Sequence, residues 1–235
     1  MVSRHQRPLT PPLFPTYTRA ERLADAIVHG IGVPAGVIAA VWLLVVAAGH
    51  GDAPVIASLA VYAAGLIGML TASALYNLSP PGRTKAILRR IDHAMIFVMI
   101  AGSYTPFVVN ALGAGFGITL AVVVWIGALT GVVLKVAFPH VNDRLSLALY
   151  LGLGWTIVVA VEPLAGAVSA TTLWLLVIGG LLYTGGTLLH VWERLPFNNA
   201  GWHVAVLGGA GCHFAAVLLE FGYGSRPPMT GLGVG

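Results

Sequence analysis

Charge is what this sequence most conspicuously lacks. Charged side chains make up 9% of the 235 residues, against about 25% in a soluble domain. With 57% hydrophobic residues and a mean hydropathy of +0.88, the chain cannot cover a water-facing surface. A soluble enzyme, a nucleic-acid binder and a disordered chain are excluded together. Cysteine is nearly missing as well. Cys212 stands alone in an apolar run, which excludes an intramolecular disulfide. The net charge of +4 reflects Lys and Arg confined to loops and the N-terminal tail. No long basic face exists for a nucleic-acid partner. Residues Met1 to Leu23 are polar, Pro-rich and basic, with no apolar core of their own. They do not read as a cleavable signal, and the first span is expected to direct insertion. No internal repeat supports an inverted-repeat transporter.

What is present is a series of long apolar runs separated by short polar loops. Barrel strands that cross a membrane are short and alternate in polarity, so these runs are helices. A span needs about 20 apolar residues. Seven segments fit: Asp25 to Gly49, Pro54 to Asn77, Asp92 to Leu112, Ile118 to Phe138, Leu145 to Val161, Val168 to Leu189 and His203 to Phe221. The expected architecture is all-α, a seven-helix membrane bundle over 25–222. A tail, 1–24, precedes it and a short one, 223–235, follows. Thr18 and Glu21 have the spacing of a capping box, so the first helix can begin before Asp25. Pro34 and Pro106 fall inside spans, and Gly127, Gly131, Gly208, Gly209 and Gly211 suit close helix packing in lipid.

Orientation follows from the basic residues. Arg4, Arg7, Arg19 and Arg22 precede the first span, and Arg83, Lys85, Arg89 and Arg90 follow the second. Lys135 and Arg144 follow the fourth, and Arg194 follows the sixth. Eleven of the 12 therefore share one side, leaving Arg226 on the other. The positive-inside rule puts the N-terminus in the cytoplasm and the C-terminus outside. The lipid bilayer is the expected partner, and a multi-pass place in the plasma (inner) membrane the expected location.

Ionisable groups within spans are costly and mark candidate sites. Glu21, Asp25 and His29 follow one another at i, i+4 along one stripe at the inner end of the first helix. Ser73 and Asn77 repeat that spacing at the inner end of the second. Asp92 and His93 open the third, His190 ends the sixth, and Asn199 and His203 open the seventh. Five helices thus bring hydrogen-bonding or metal-ligating groups to one cytoplasmic slab. Each member also has a plain packing explanation: Asp92 as a helix-start carboxylate, His29 bonded to Asp25, Ser73 and Asn77 as glue between helices. His213 lies about 15 Å beyond His203 along a helix and reads as mid-membrane packing. The outer half is poorer, with Glu162 and Glu220.

Three segments resemble the hemolysin III group, within the progestin and adipoQ receptor family. They are Ser73-Ala-Leu-Tyr-Asn77, the stretch from Asp92 to Phe107 ending in Tyr-Thr-Pro-Phe, and Trp202 to Phe214; the stretch from Glu21 to Gly30 fits the first helix of that family. The resemblance runs from Glu21 to Phe221 and implies seven helices with the N-terminus inside. It also implies a zinc held by three His near the cytoplasmic face, beside a Ser and an Asp. On this chain the Ser is Ser73, the Asp is Asp92 and one His is His203. The other two ligand positions carry Asn77 and Asn199. Zinc prefers imidazole, thiolate or carboxylate, so His203 and Asp92 are the good ligands left. His29, His93 and His190 are the nearby imidazoles able to compensate. Two functions fit. One is a membrane protein of the hemolysin III type, affecting membrane integrity or lipid state. The other is a metal-dependent, ceramidase-like hydrolase of a lipid amide or ester, with Asp92 and Ser73 as catalytic groups.

Overall fold

A computed structural model describes residues 14–138 and 143–223, with the backbone alone at Asp143. Arg4, Arg7 and Arg226 lie outside the described residues, as does nearly all of the expected C-terminal tail. Within them the chain is helical, with no strand. The elements are α1 (Arg19–Ala48), α2 (Ala53–Leu78), α3 (Arg83–Asn110), α4 (Ala114–Ala137), α5 (Asp143–Gly154), a 3-10 segment (Trp155–Ala160), α6 (Val161–Ala167), α7 (Ala170–Val191), α8 (Asn198–Val217) and a π turn (Leu218–Gly222). Among the described residues they form 7 helices long and apolar enough to cross a membrane. The fifth span, Arg144–Ala167, is built from α5, the 3-10 segment and α6. Helices are what lipid demands, because every backbone N–H and C=O must find its partner within the chain.

Short polar signals set the helix starts. The Thr18 side chain accepts from the Glu21 N–H at 3.2 Å, and the Glu21 carboxylate accepts from the Thr18 N–H at 2.8 Å, completing a capping box. Asp52 caps α2 through the Val55 N–H. Ser169 caps α7 through Thr172, and Glu220 reinforces it from the far end of the last span by accepting from the Ser169 N–H and the Thr172 hydroxyl. Glu220 thus has a structural partner at the start of α7, while Glu162 is exposed.

α1 packs on both α2 and α8, α3 on α2 and α4, and α7 on α8. The core between them holds Leu43, Tyr62, Leu66, Phe97 and Val124. Close approach depends on glycine at two points: a Cβ on Gly131 would collide with the Phe97 ring, and one on Gly179 with the His213 ring. His213 packs there, its ring nitrogen 3.2 Å from the Leu176 carbonyl, as a mid-membrane packing residue.

The fifth span is tied to α3 by Tyr104. Where α5 gives way to the 3-10 segment, the Tyr104 hydroxyl lies against the backbone. It accepts from the Ile157 N–H at 2.7 Å and lies 2.6 Å from the Gly154 carbonyl and 3.1 Å from that of Leu153. Broken helices survive in lipid when such groups find partners again. Tyr104→Phe removes the hydroxyl that bonds the Ile157 N–H and the Gly154 carbonyl and is expected to cost about 1–3 kcal/mol. The purified variant should unfold at a lower temperature in detergent; an unchanged transition would show that the break is held by packing alone.

Candidate functional site

The start of α1, the end of α2, the start of α3 and the start of α8 meet at one end of the bundle. α1 is the hub, because it touches both α2 and α8. Asp25 and His29 lie one turn apart on α1, each 6% exposed. Ser73 and Asn77 lie one turn apart on α2, both half-buried. Asp92 is buried on α3, and His203 is buried on α8. Asn199, one turn before His203, is half-buried.

These side chains form one connected network. The His203 Nδ1–H donates to Asp25 Oδ1 at 2.6 Å. That bond fixes the tautomer, so the lone pair of Nε2 faces the Ser73 Oγ, 3.5 Å away. Asp92 is buried on α3 at the same end of the bundle. The Asn77 amide donates to the Ser73 carbonyl at 3.0 Å and approaches Ser73 Oγ at 3.4 Å. Asn199 donates to Asn77 Oδ1 at 3.3 Å. The His29 ring tilts against the His203 ring with centroids 4.5 Å apart. Its Nε2 is 3.6 Å from Asp25 Oδ2 and is buried with no hydrogen-bond partner among the described residues.

The surroundings hold these groups in place. Lys85 reaches back from α3 and donates to the carbonyls of Tyr76, Asn77 and Ser79 at 2.9, 3.2 and 2.9 Å, closing the end of α2. Glu21 Oε1 accepts from the Phe197 N–H at 3.0 Å, tying the start of α1 to the loop before α8. Phe197 has φ 59° there, a left-handed conformation that a bulky side chain rarely adopts. An open groove lined by Thr18, Glu21, Glu193, Arg194, Leu195 and Phe197 adjoins this tie. Tyr17 stands just ahead of α1. Burial pushes its phenol up to about 12, with Tyr76, Asp25, Glu193 and Glu21 adding to the effect. It remains a neutral donor throughout the physiological range.

The structure therefore brings together Ser73, Asn77, Asp92, Asn199, His203 and, of the three compensating imidazoles, His29. It places His93 edge-on to Tyr76, with ring centroids 6.5 Å apart, and His190 against Trp202 at 5.5 Å. The residue with the greatest unread importance is Asp25, the direct partner of His203 across 178 positions of sequence. Its place in the Glu21–Asp25–His29 stripe was the available signal. Asp25, His29 and His203 offer ligand atoms within 4.8 Å of one another and could hold a metal ion.

Comparison with known proteins places this arrangement in a family. A family model described as Haemolysin-III related matches residues 17–214. The chain is 41% identical over 202 residues to the hemolysin-3 homolog of Bacillus subtilis (strain 168), covering 86% of this chain and 95% of that protein. It is 35% identical over 198 residues to hemolysin-3 of Bacillus cereus, covering 84% of this chain and 90% of that protein. The matched region takes in every residue of the polar network, from Asp25 to His203, and the chain belongs to the Haemolysin-III related family.

Proposed function

We propose that the protein is an intramembrane hydrolase that cleaves an acyl bond, amide or ester, in a membrane lipid of the cytoplasmic leaflet. One observation carries this reading. Three helices place a carboxylate, an imidazole and a hydroxyl in hydrogen-bonded series inside an otherwise apolar bundle, and a fourth adds the buried Asp92 at the same end. Such groups are costly at this depth, and a base beside a hydroxyl is the arrangement acyl transfer needs. Depth supports the substrate class. Asp25 lies about 9 Å along α1 from Arg19, near the boundary of headgroup and hydrocarbon where lipid acyl linkages reside. The basic residues Arg19, Arg22, Arg83, Lys85, Arg89 and Arg90 gather at this end, which supports a cytoplasmic face, an external C-terminus and the inner membrane. The wider resemblance to the progestin and adipoQ receptor family points the same way. The name hemolysin carried by relatives refers to lysis; in this reading, altered membrane integrity follows from altered lipid.

Zinc at the family's positions does not fit the side chains present. Asn77 and Asn199 are hydrogen-bonded to each other, and the Asn77 amide nitrogen is directed at Ser73. The set Asp25, His29 and His203 has suitable donor chemistry, and an ion held there would polarise a substrate carbonyl. His203 Nδ1 and Asp25 Oδ1 are 2.6 Å apart, however, closer than the roughly 3.3 Å between two ligands about 2.0–2.1 Å from a tetrahedral zinc. They form a hydrogen bond that must open before both could ligate through these atoms.

The test reconstitutes the full chain in vesicles carrying a fluorescent ceramide or a fluorescent diacyl phospholipid. Fatty-acid release above that of empty vesicles is expected for at least one of them. Folded protein that releases neither acyl chain overturns the proposal. A reporter active only outside the cell, fused to the C-terminus, is expected to be active; silence there, with a working cytoplasmic reporter, reverses the orientation.

A further inference from the structure

The polar network has the connectivity of a nucleophile, a base and an orienting carboxylate. Ser73, His203 and Asp25 come from three helices, α2, α8 and α1. Asp25 holds His203 through Nδ1, and Nε2 faces the serine oxygen at 3.5 Å. Nucleophile and base are often this loose before substrate arrives. Burial follows the same order. Asp25 and His203 are enclosed, while Ser73 is half-exposed at the end of the series. The orphaned His29 Nε2 lies 3.6 Å from the second Asp25 oxygen, beyond hydrogen-bond range. Asn77 adds an amide donor 3.4 Å from Ser73 Oγ, where an oxyanion would form beside that oxygen.

Resting on the acyl-hydrolase reading, we propose that Ser73 is the nucleophile, His203 its general base and Asp25 the residue that positions His203, with the lipid acyl group carried on Ser73 before water releases it. Ser73 Oγ bonds to the substrate carbonyl carbon as its proton passes to His203 Nε2. The Asn77 amide faces the resulting oxyanion. The bond to the leaving amine or alcohol breaks, and that group takes the proton from Nε2. Water then gives its proton to Nε2 and adds to the acyl carbon. The free acid departs, and Ser73 Oγ recovers the proton. The two Asn in place of His acquire a rationale: an amide near the nucleophile can serve serine chemistry where it serves zinc poorly.

The experiment treats the purified full chain, in mixed lipid–detergent micelles, with a fluorophosphonate probe and maps the modified residue by peptide mass spectrometry. Parallel vesicle assays measure release from the fluorescent ceramide and phospholipid, with and without a chelator. Labelling at Ser73 and hydrolysis that both survive chelation are expected. Ser73→Ala should abolish the label. Ser73→Cys, which keeps the side chain's size, should transfer reactivity at that position to iodoacetamide, with Cys212 resolved as a separate peptide. Asp25→Asn should lower the maximal labelling rate by about 10²-fold or more without changing probe affinity. Hydrolysis abolished by chelation, with no label at Ser73, overturns the serine mechanism and leaves the hydrolase reading intact. Label at Ser73 without release from either lipid supports the activated nucleophile and overturns the lipid-hydrolase reading. Neither label nor release from folded protein overturns both.

Discussion

His203→Ala is expected to reduce release from vesicle-borne acyl lipid by about 10³-fold or more and to destabilise the bundle by about 2–4 kcal/mol. Both effects have the same origin. His203 is 7% exposed and supplies the 2.6 Å hydrogen bond to Asp25. Removing it leaves the carboxylate in a low-dielectric setting with only the His29 contact at 3.6 Å. Truncating one member of a buried polar pair costs more than the pair itself contributes. The double variant Asp25→Ala, His203→Ala should therefore be less destabilised than the two single variants added together, by about 1 kcal/mol or more. Equilibrium unfolding in mixed micelles measures the cycle. Strict additivity would mean that the two side chains do not share an energetic bond. Full activity in His203→Ala would remove the imidazole from every version of the chemistry.

Much of the fold was legible because lipid makes the apolar run and the helix nearly the same thing. All seven spans coincide with helices, and the capping box at Thr18 and Glu21 is present. The ends were less legible for a physical reason. α3 begins at Arg83 rather than Asp92, and the last span at Asn198 rather than His203. Hydropathy sees only the part of a helix that sits in hydrocarbon, and the first turns of both are polar. The fifth span looked shortest because Glu162 ends its apolar run; the helix continues to Ala167 through a 3-10 segment. That break is held by Tyr104, a residue about 50 positions earlier, and no local pattern carries such information.

The site divides along the same line. Convergence at one end was readable, since spacing of i, i+4 puts Asp25 with His29, Ser73 with Asn77, and Asn199 with His203 on single faces. Which face meets which was not. The choice of Asp25 as the partner of His203 depends on α1 packing against both α2 and α8. A polar stripe on one helix does not reveal its neighbour. The same lack of registry left His29, His93 and His190 equivalent on paper, although only His29 shares the cluster with His203.

Zinc is expected to be absent or weakly held by the protein as purified, and Asn77→His with Asn199→His together should raise its affinity more than either change alone. Asn77 and Asn199 already lie side by side, 3.3 Å apart through their side chains, and Asn77 adjoins Ser73 across from His203. Imidazoles at both positions would join His203 in a three-nitrogen set, the number a catalytic zinc commonly takes from its protein. One imidazole alone leaves the set short, so the gain is cooperative. Elemental analysis of the native chain, both single variants and the double variant reads this directly. The same double variant removes the Asn77 amide beside Ser73, so its fluorophosphonate labelling should fall as its zinc content rises. Near-stoichiometric zinc in the native chain after mild chelation would assign the ion to Asp25, His29 and His203, with His29→Ala the variant that should release it. Equal, low zinc in all four proteins would mean that positions 77 and 199 do not converge with His203 closely enough to share an ion.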